Sequence, residues 1–219
     1  MSRLSRILEP ELMDTPEEAS DYDSMDHSSV NRVFAQDFLL GYTHGRALDV
    51  GTGTAQIPIE ICAQHPSICL DALDAAGHML SLARRNIATA GLEARIAVHL
   101  APAQQLPFAD GHFAAVLSNS IVHHIPEPFA VLAEMVRVTA RGGWLFVRDL
   151  VRPVDEATLD ALVAQHAAGA NDHQRQMFRD SLHAALTVDE VRAMVARLGL
   201  DPAHVTQTTD RHWTWATRR

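Results

Sequence analysis

The sequence predicts an α/β protein built on a doubly wound, mostly parallel sheet. Short apolar runs of strand length alternate five times with segments of helical periodicity, which is typical of parallel strands joined by right-handed crossovers. A sharp glycine turn, Gly51 to Gly53, joins the first apolar run to a helical segment. Near the end of the chain, residues 204–208 and 212–217 predict two strands of an antiparallel hairpin.

The boundaries of each element follow from apolar periodicity and from turn residues. Glycines lie where helices are expected to stop, at Gly41, Gly91, Gly142-Gly143 and Gly199, and Ser28 or Ser29 is expected to cap the first helix. The predicted strands are 47–50, 68–74, 94–100, 113–119 and 144–147. The predicted helices are 28–40, 55–65, 79–90, 129–136, 159–167, 174–185 and 188–198.

We interpret the 219 residues as a single domain with four segments. Residues 1–29 form the N-terminal arm. Residues 1–27 are polar and acidic, and Pro10 and Pro16 break any long helix, which predicts a flexible arm or a cover. The ligand-binding core is expected at 30–149, a helical insertion that serves as a lid at 150–186, and a closing helix with the hairpin at 187–219.

The composition limits the partners. The 27 acidic and 18 basic residues give a formal net charge of −9, which argues against nucleic acid because phosphate binding needs clustered Lys and Arg. No run approaches the roughly 20 apolar residues of a membrane span, so no membrane partner is expected. Cys62 and Cys69 lie in apolar contexts and predict buried thiols, hence a reducing, cytoplasmic location. The oligomeric state stays open.

The glycine turn follows the pattern D-x-G-x-G, from Asp49 to Gly53. A dinucleotide fold expects a third small residue where this chain has Gln56, and a phosphate-binding loop of the Walker type expects a Lys that is missing here. Asp74, about 20 residues further on, ends the second predicted strand, as in nucleoside-binding doubly wound sheets. The turn therefore predicts a nucleoside ligand.

Further motifs accompany the turn in a fixed order. They are Leu73-Asp74 with Met79-Leu80, Gln105-Leu106-Pro107-Phe108, Phe113 to Ser118, His123-His124 and Arg141-Gly142-Gly143. With Leu48 to Thr54, they resemble the class I S-adenosylmethionine-dependent methyltransferases, within the small-molecule group that includes the ubiquinone and menaquinone methyltransferases. The resemblance covers about residues 30 to 150 and implies a Rossmann-like, seven-stranded sheet with an antiparallel last strand.

The resemblance also implies the cofactor, S-adenosyl-L-methionine, and its contacts. The methionine part would lie at Gly51, Thr52 and Gly53, with Asp49 orienting it, and Asp74 would accept hydrogen bonds from the ribose hydroxyls. Relatives commonly carry an Asp where this chain has Pro102, so two outcomes stay open: Gln104 takes over at the adenine, or cofactor affinity is lower. The remaining implied cofactor contacts are Ala75, Met79, Ala103, Ser118 and Asn119.

The implied reaction is direct in-line displacement of the methyl group by a small-molecule acceptor. Tyr22, His123 and Asp149 are the candidate catalytic residues, because ligands collect at the carboxyl ends of strands and under the lid. Packing and capping roles for His123 and Asp149 stay open as alternatives.

The sequence features that bear on metal binding and on the methyl acceptor are less specific than the cofactor motifs. Ser118-Asn119-Ser120 offers no carboxylate, so the transfer is expected to be metal-independent, and the acidic run 21–27 lacks the glycine and the closing Glu of a calcium loop. Four arginines suggest an anionic acceptor, although solvated charges on helix faces are the better explanation for them. These are Arg148, Arg152, Arg175 and Arg179. Two other functions stay open: a cofactor-binding protein without transfer activity, and a protein methyltransferase.

Overall fold

The computed structural model describes residues 4–9, 14–25 and 27–219. It contains a seven-stranded sheet in the order β3-β2-β1-β4-β5-β7-β6, in which β1 pairs in parallel with β2 and β4, and β7 pairs antiparallel with β6. The predicted fold class is therefore confirmed. The strands are β1 (Arg46–Val50), β2 (Cys69–Asp74), β3 (Ile96–Leu100), β4 (Phe113–Asn119), β5 (Thr139–Leu150), β6 (Val205–Gln207) and β7 (His212–Arg218).

Eight α-helices lie in the described part of the chain. They are α1 (Pro16–Ser24), α2 (Ser28–Gly41), α3 (Gln56–Gln64), α4 (Gly77–Thr89), α5 (Pro128–Val138), α6 (Glu156–His166), α7 (Asp172–Ala184) and α8 (Val188–Arg197). None of the helices in these described ranges is long and apolar enough to cross a membrane.

The N-terminal arm differs from the prediction because it contains a helix. Thr15 and Glu18 form a reciprocal capping box, and Pro16 occupies the first helical position, where a proline costs no hydrogen bond. Pro16 thus starts α1 and does not prevent a helix. The predicted Ser caps of α2 are also wrong: His27 is the N-cap residue, and its side chain makes no capping hydrogen bond.

The glycine pair at 142–143 does not stop a helix. Helix α5 already ends at Val138, and both glycines lie inside the long strand β5. Gly142 has a φ of 74°, and a Cβ on Gly143 would lie 2.8 Å from the Ala140 oxygen and 2.9 Å from the Ala114 oxygen. The pair therefore allows neighbouring backbone segments of the sheet to approach closely. In the sequence alone, two glycines at this position look the same as a helix stop.

The described residues group into two compact units. The glycine-turn unit comprises the described residues of 14–119, with 133–146 and 216–219, and the histidine unit comprises 4–9, 120–132 and 147–215. The core of the glycine-turn unit packs α2 to α4 on β1 to β4, with Phe34 and Phe38 against Phe146. In the histidine unit, Leu159, Leu162 and Leu182 pack around Leu150.

The Gly143 contacts generate a stability prediction. Gly143→Ala should lower the free energy of unfolding by about 1 to 3 kcal/mol, because the backbone oxygens around its Cβ cannot move away without shifting the strand. Gly77→Ala is the matched control, because no atom lies within 4 Å of its Cβ at the start of α4. Urea unfolding measures both changes, and equal midpoints for the two variants would contradict the assigned role of Gly143.

Candidate functional site

The glycine turn is tied to the end of β2 by paired backbone hydrogen bonds. Gly51 and Thr52 both donate their N–H groups to the Leu73 carbonyl, at 2.8 and 2.9 Å. Gly51 and Gly53 have φ angles of 79° and 54°, which residues with a Cβ rarely adopt. The backbone of the turn is therefore held open toward the carboxyl edge of the sheet, where ligands of such folds bind.

Asp74 lies beside this turn and is held by backbone donors. Its Oδ2 accepts from the Gly53 N–H at 2.7 Å, and its Oδ1 accepts from the Ala76 N–H at 2.9 Å. Burial raises the pKa of this carboxyl above its ordinary value, against the effect of the backbone donors. Each carboxylate oxygen keeps a second acceptor site, so Asp74 could accept two hydroxyl groups of a ribose.

Asp49 is a buried acidic residue of the turn with a carboxylate oxygen that is unsatisfied within the described ranges. The residue is 1% exposed, and its Oδ2 has no hydrogen-bond partner among the described residues. Burial, together with the nearby Asp74 carboxylate, raises the pKa of Asp49 to about 7. A buried carboxylate of this kind gains most from a cationic partner, and the ammonium group of a methionine moiety fits that requirement.

The structure places the other predicted cofactor residues in three kinds of environment. Met79 packs with Ala19 and Ala76, whereas Ser118 is buried and donates its hydroxyl to the Val50 carbonyl at 2.8 Å. Ala103 and Thr52 are buried, Asn119 is half-buried, and Ala75 and Gln104 are exposed. The Ser118 hydroxyl thus adds a hydrogen bond between β4 and β1.

Helix α1 covers the same side of the glycine-turn unit, and the sequence analysis did not predict that this segment is helical. At one end, the Asp14 carboxylate accepts from the His78 N–H at 3.0 Å. At the other end, Asn86 donates to Asp23 at 2.8 Å and to the Thr54 carbonyl at 3.1 Å. Asp23 also accepts from Gln56, the residue that excluded a dinucleotide motif. These polar pairs dock α1 along α4.

The docking of α1 brings Tyr22 to the glycine turn. A Cβ on Gly53 would lie 3.6 Å from the Tyr22 ring, and the ring lies 5.2 Å from that of His27. The residue is 37% exposed, yet desolvation, followed by the charges of Asp74 and Asp49, raises the pKa of its phenol. The phenol is therefore neutral at physiological pH and can donate a hydrogen bond.

His123 and Asp149 form a buried pair in the histidine unit. The chain turns at Ser120, which has a φ of 57°, into the short 3₁₀ helix Val122–His124. His123 Nδ1 lies 2.5 Å from Asp149 Oδ1, and the Val122 N–H donates to Asp149 Oδ2 at 2.6 Å. Although burial opposes both charges, their mutual attraction raises the pKa of His123 and lowers that of Asp149. The structure thus brings two of the predicted catalytic residues together.

The arginines singled out in the sequence are engaged with protein groups. Arg152 is buried and donates to Glu190 at 2.6 Å, and Arg148 donates to the Thr214 hydroxyl at 2.9 Å. Arg175 donates to the Ala167 carbonyl, and Arg179 pairs with Glu156 and Asp160. These contacts support the interpretation of the arginines as structural charges.

A separate cavity of about 270 Å³ lies at the amino-terminal ends of β1 and β2, opposite the ends that carry the glycine turn. Tyr42, His44, Arg46, His65 and Cys69 are among its lining residues. Because the glycine turn follows the carboxyl end of β1, this cavity does not contribute to the turn's ligand site.

Comparisons with known proteins agree with this geometry. A profile for the methyltransferase domain matches residues 48–147. The malonyl-[acyl-carrier protein] O-methyltransferase of Geobacter sulfurreducens is 33% identical over 190 residues, which cover 85% of this chain and 68% of the relative. The UbiE ubiquinone/menaquinone C-methyltransferase of Geotalea daltonii is 32% identical over 111 residues, or 50% of this chain.

The fold is shared with solved structures. An S-adenosyl-L-methionine-dependent methyltransferase structure from Methanococcus maripaludis aligns with a TM-score of 0.72 and 16% identity over 97% of both chains. The Rossmann-like architecture of that class is therefore present here. This chain belongs to the class I S-adenosylmethionine-dependent methyltransferases. It spans about half the length of the UbiE relatives, since the Geotalea alignment covers 47% of that protein.

The buried carboxylate generates a stability prediction. In the unfolded chain the pKa of Asp49 is near 3.9, so the folded state, with a pKa of about 7, loses stability as the pH rises from about 4 to 7. Asp49→Asn removes this loss. The free energy of unfolding of the variant, relative to wild type, should therefore increase by about 2 to 3 kcal/mol between pH 5 and pH 8.

Urea unfolding of both proteins at the two pH values, without cofactor, measures this difference. Asp172→Asn is the matched control, because it makes the same substitution at an exposed side chain. The same offset between Asp49→Asn and wild type at both pH values would show that Asp49 is ionised normally in the folded state.

Proposed function

We propose that this protein transfers the methyl group of S-adenosyl-L-methionine to a small-molecule acceptor by direct in-line displacement. The observation that carries the proposal is that two carboxylates lie at one glycine turn. Asp49 is buried, and its Oδ2 has no hydrogen-bond partner among the described residues, whereas Asp74 is held by backbone donors. A cationic amino-acid moiety and a ribose are the two groups that this pair suits.

In this proposal, each predicted cofactor residue has a role set by its environment. Asp49 pairs with the ammonium group, the open backbone of Gly51 to Gly53 admits the methionine chain, and Asp74 accepts from the ribose hydroxyls. Met79 and Ala103 supply apolar surface for the adenine, with the exposed Gln104 at its edge. Thr52, Ala75, Ser118 and Asn119 complete the walls.

The transfer itself needs little from the protein. A sulfonium is already a strong electrophile, so the enzyme must align the acceptor, exclude water and, for some acceptors, remove a proton. Tyr22 is the candidate group at the cofactor turn, and its neutral phenol can orient an acceptor oxygen. In the histidine unit, the Asp149 carboxylate is saturated by hydrogen bonds, which supports a positioning role for Asp149 toward His123.

We propose a small metabolite as the acceptor class. One relative methylates an oxygen of a malonyl group on a carrier protein, and another methylates carbon in ubiquinone/menaquinone biosynthesis, as their names state. We propose a cytoplasmic, metal-independent transfer. The free thiols Cys62 and Cys69 support that location, and the net charge of −9 disfavours nucleic acid as the acceptor.

Radiolabelled methyl transfer tests the proposal directly. Purified protein is incubated with S-adenosyl-L-methionine labelled in the methyl group and with a small-molecule extract, and a second reaction contains the extract's protein fraction. Labelled low-mass product is expected, and Asp74→Asn should reduce the label at least about tenfold by weakening the charge-assisted ribose contact. Binding without any labelled product would support a cofactor-binding protein, and label in the protein fraction alone would support a protein methyltransferase.

A further inference from the structure

We propose that Glu9, His123 and His124 form a binding site for a divalent transition-metal ion of the zinc class. All three residues belong to the histidine unit, and one ligand atom from each lies within 4.8 Å of the other two. The three side chains offer two imidazole nitrogens and one carboxylate oxygen. This donor set is separate from the carboxylates of the glycine turn.

Asp149 prepares His123 to act as a ligand. Asp149 Oδ1 lies 2.5 Å from His123 Nδ1 and forms a hydrogen bond with it. Asp149 Oδ2 accepts hydrogen bonds from the backbone N–H groups of Val122 and His123. When His123 Nδ1 carries the proton and donates it in the hydrogen bond to Asp149, the lone pair of His123 Nε2 is free to bind an ion. A carboxylate behind the imidazole is the usual outer-shell arrangement of metal-bound histidines, since it fixes both the tautomer and the ring orientation.

Glu9 is brought to the histidines by a well-anchored N-terminal segment. Arg6, three residues before it, donates to the carbonyls of His123, Ile125 and Ala184 at 3.1, 2.9 and 2.7 Å. Glu9 Oε2 pairs with His124 Nδ1, whereas Glu9 Oε1 is buried and has no hydrogen-bond partner in the described ranges. The carboxylate therefore has unused ligand capacity at the cluster.

The donor types select the ion. Imidazole nitrogens suit Zn²⁺, Co²⁺ and Ni²⁺, whereas Mg²⁺ and Ca²⁺ prefer sites made of oxygen ligands. A tetrahedral zinc ion places its ligand atoms roughly 3.3 Å apart. The side chains of His124 and Glu9 are 28% and 13% exposed, so torsion changes in these two residues can close the cluster around an ion while His123 stays fixed.

Bound metal would link the N-terminal segment to the loop after β4. Glu9 belongs to that segment, and His123 and His124 form the 3₁₀ helix of the loop. The ion would replace the direct Glu9–His124 pair.

Titration of the chelator-stripped, full-length protein with ZnCl₂ in a calorimeter tests this site. One equivalent per chain is expected, and both Glu9→Gln and His124→Asn should weaken binding by at least about tenfold because each removes a ligand. Glu9→Gln retains a hydrogen-bonding side chain beside His124, so it is the variant least exposed to a folding defect. Absorption of the Co²⁺-loaded protein should show the intense visible bands of a four-coordinate site.

His44→Asn is the control for adventitious binding, because His44 is exposed and lies in the glycine-turn unit. It should leave the one-equivalent binding unchanged. The proposal is overturned by a wild type without stoichiometric Zn²⁺ binding. It is equally overturned by Glu9→Gln and His124→Asn proteins that bind as tightly as wild type while matching its urea unfolding midpoint.

Discussion

The carboxylate of Asp49, buried at the end of β1, is the constraint on which the cofactor site depends. Nothing in the described part of the chain compensates its Oδ2, and burial raises its pKa to about 7. The neighbouring backbone N–H groups are already hydrogen-bonded to other acceptors. Gly51 and Thr52 donate to the Leu73 carbonyl, and Gly53 donates to Asp74. The turn is thus rigid but electrostatically incomplete, which is the condition under which a cationic ligand contributes most.

Much of this arrangement could be predicted from the sequence. Parallel strands covered by helices produce apolar runs and periodic segments that are visible without any structure, and Asp49, Gly51, Gly53 and Asp74 occur at diagnostic spacings. The glycine pair in β5 could not be assigned in the same way. Its role depends on the Ala140 and Ala114 oxygens beside Gly143, and a glycine near the end of a periodic segment equally predicts a helix stop.

The parts missed by sequence reasoning are held by contacts between distant residues. Helix α1 is docked by Asp14 on His78 and by Asp23 on Asn86, pairs that are separated by 64 and 63 residues. The Glu9–His124 pair in the histidine unit likewise joins the N-terminus to the middle of the chain. No local pattern marks such pairs. The Thr15–Glu18 capping box is a local signal for α1, but Pro16 between these two residues equally predicts a break in a helix.

Calorimetric binding of the demethylated cofactor, S-adenosylhomocysteine, at two pH values tests the role of Asp49 most directly. If the ammonium group pairs with ionised Asp49, a pKa of about 7 implies a dissociation constant roughly 25-fold higher at pH 5.5 than at pH 7.5. Asp49→Asn should bind more weakly at pH 7.5 and lose most of this pH dependence. A wild-type affinity that is equal at both pH values, or an Asp49→Asn protein that binds as tightly as wild type, would contradict the account.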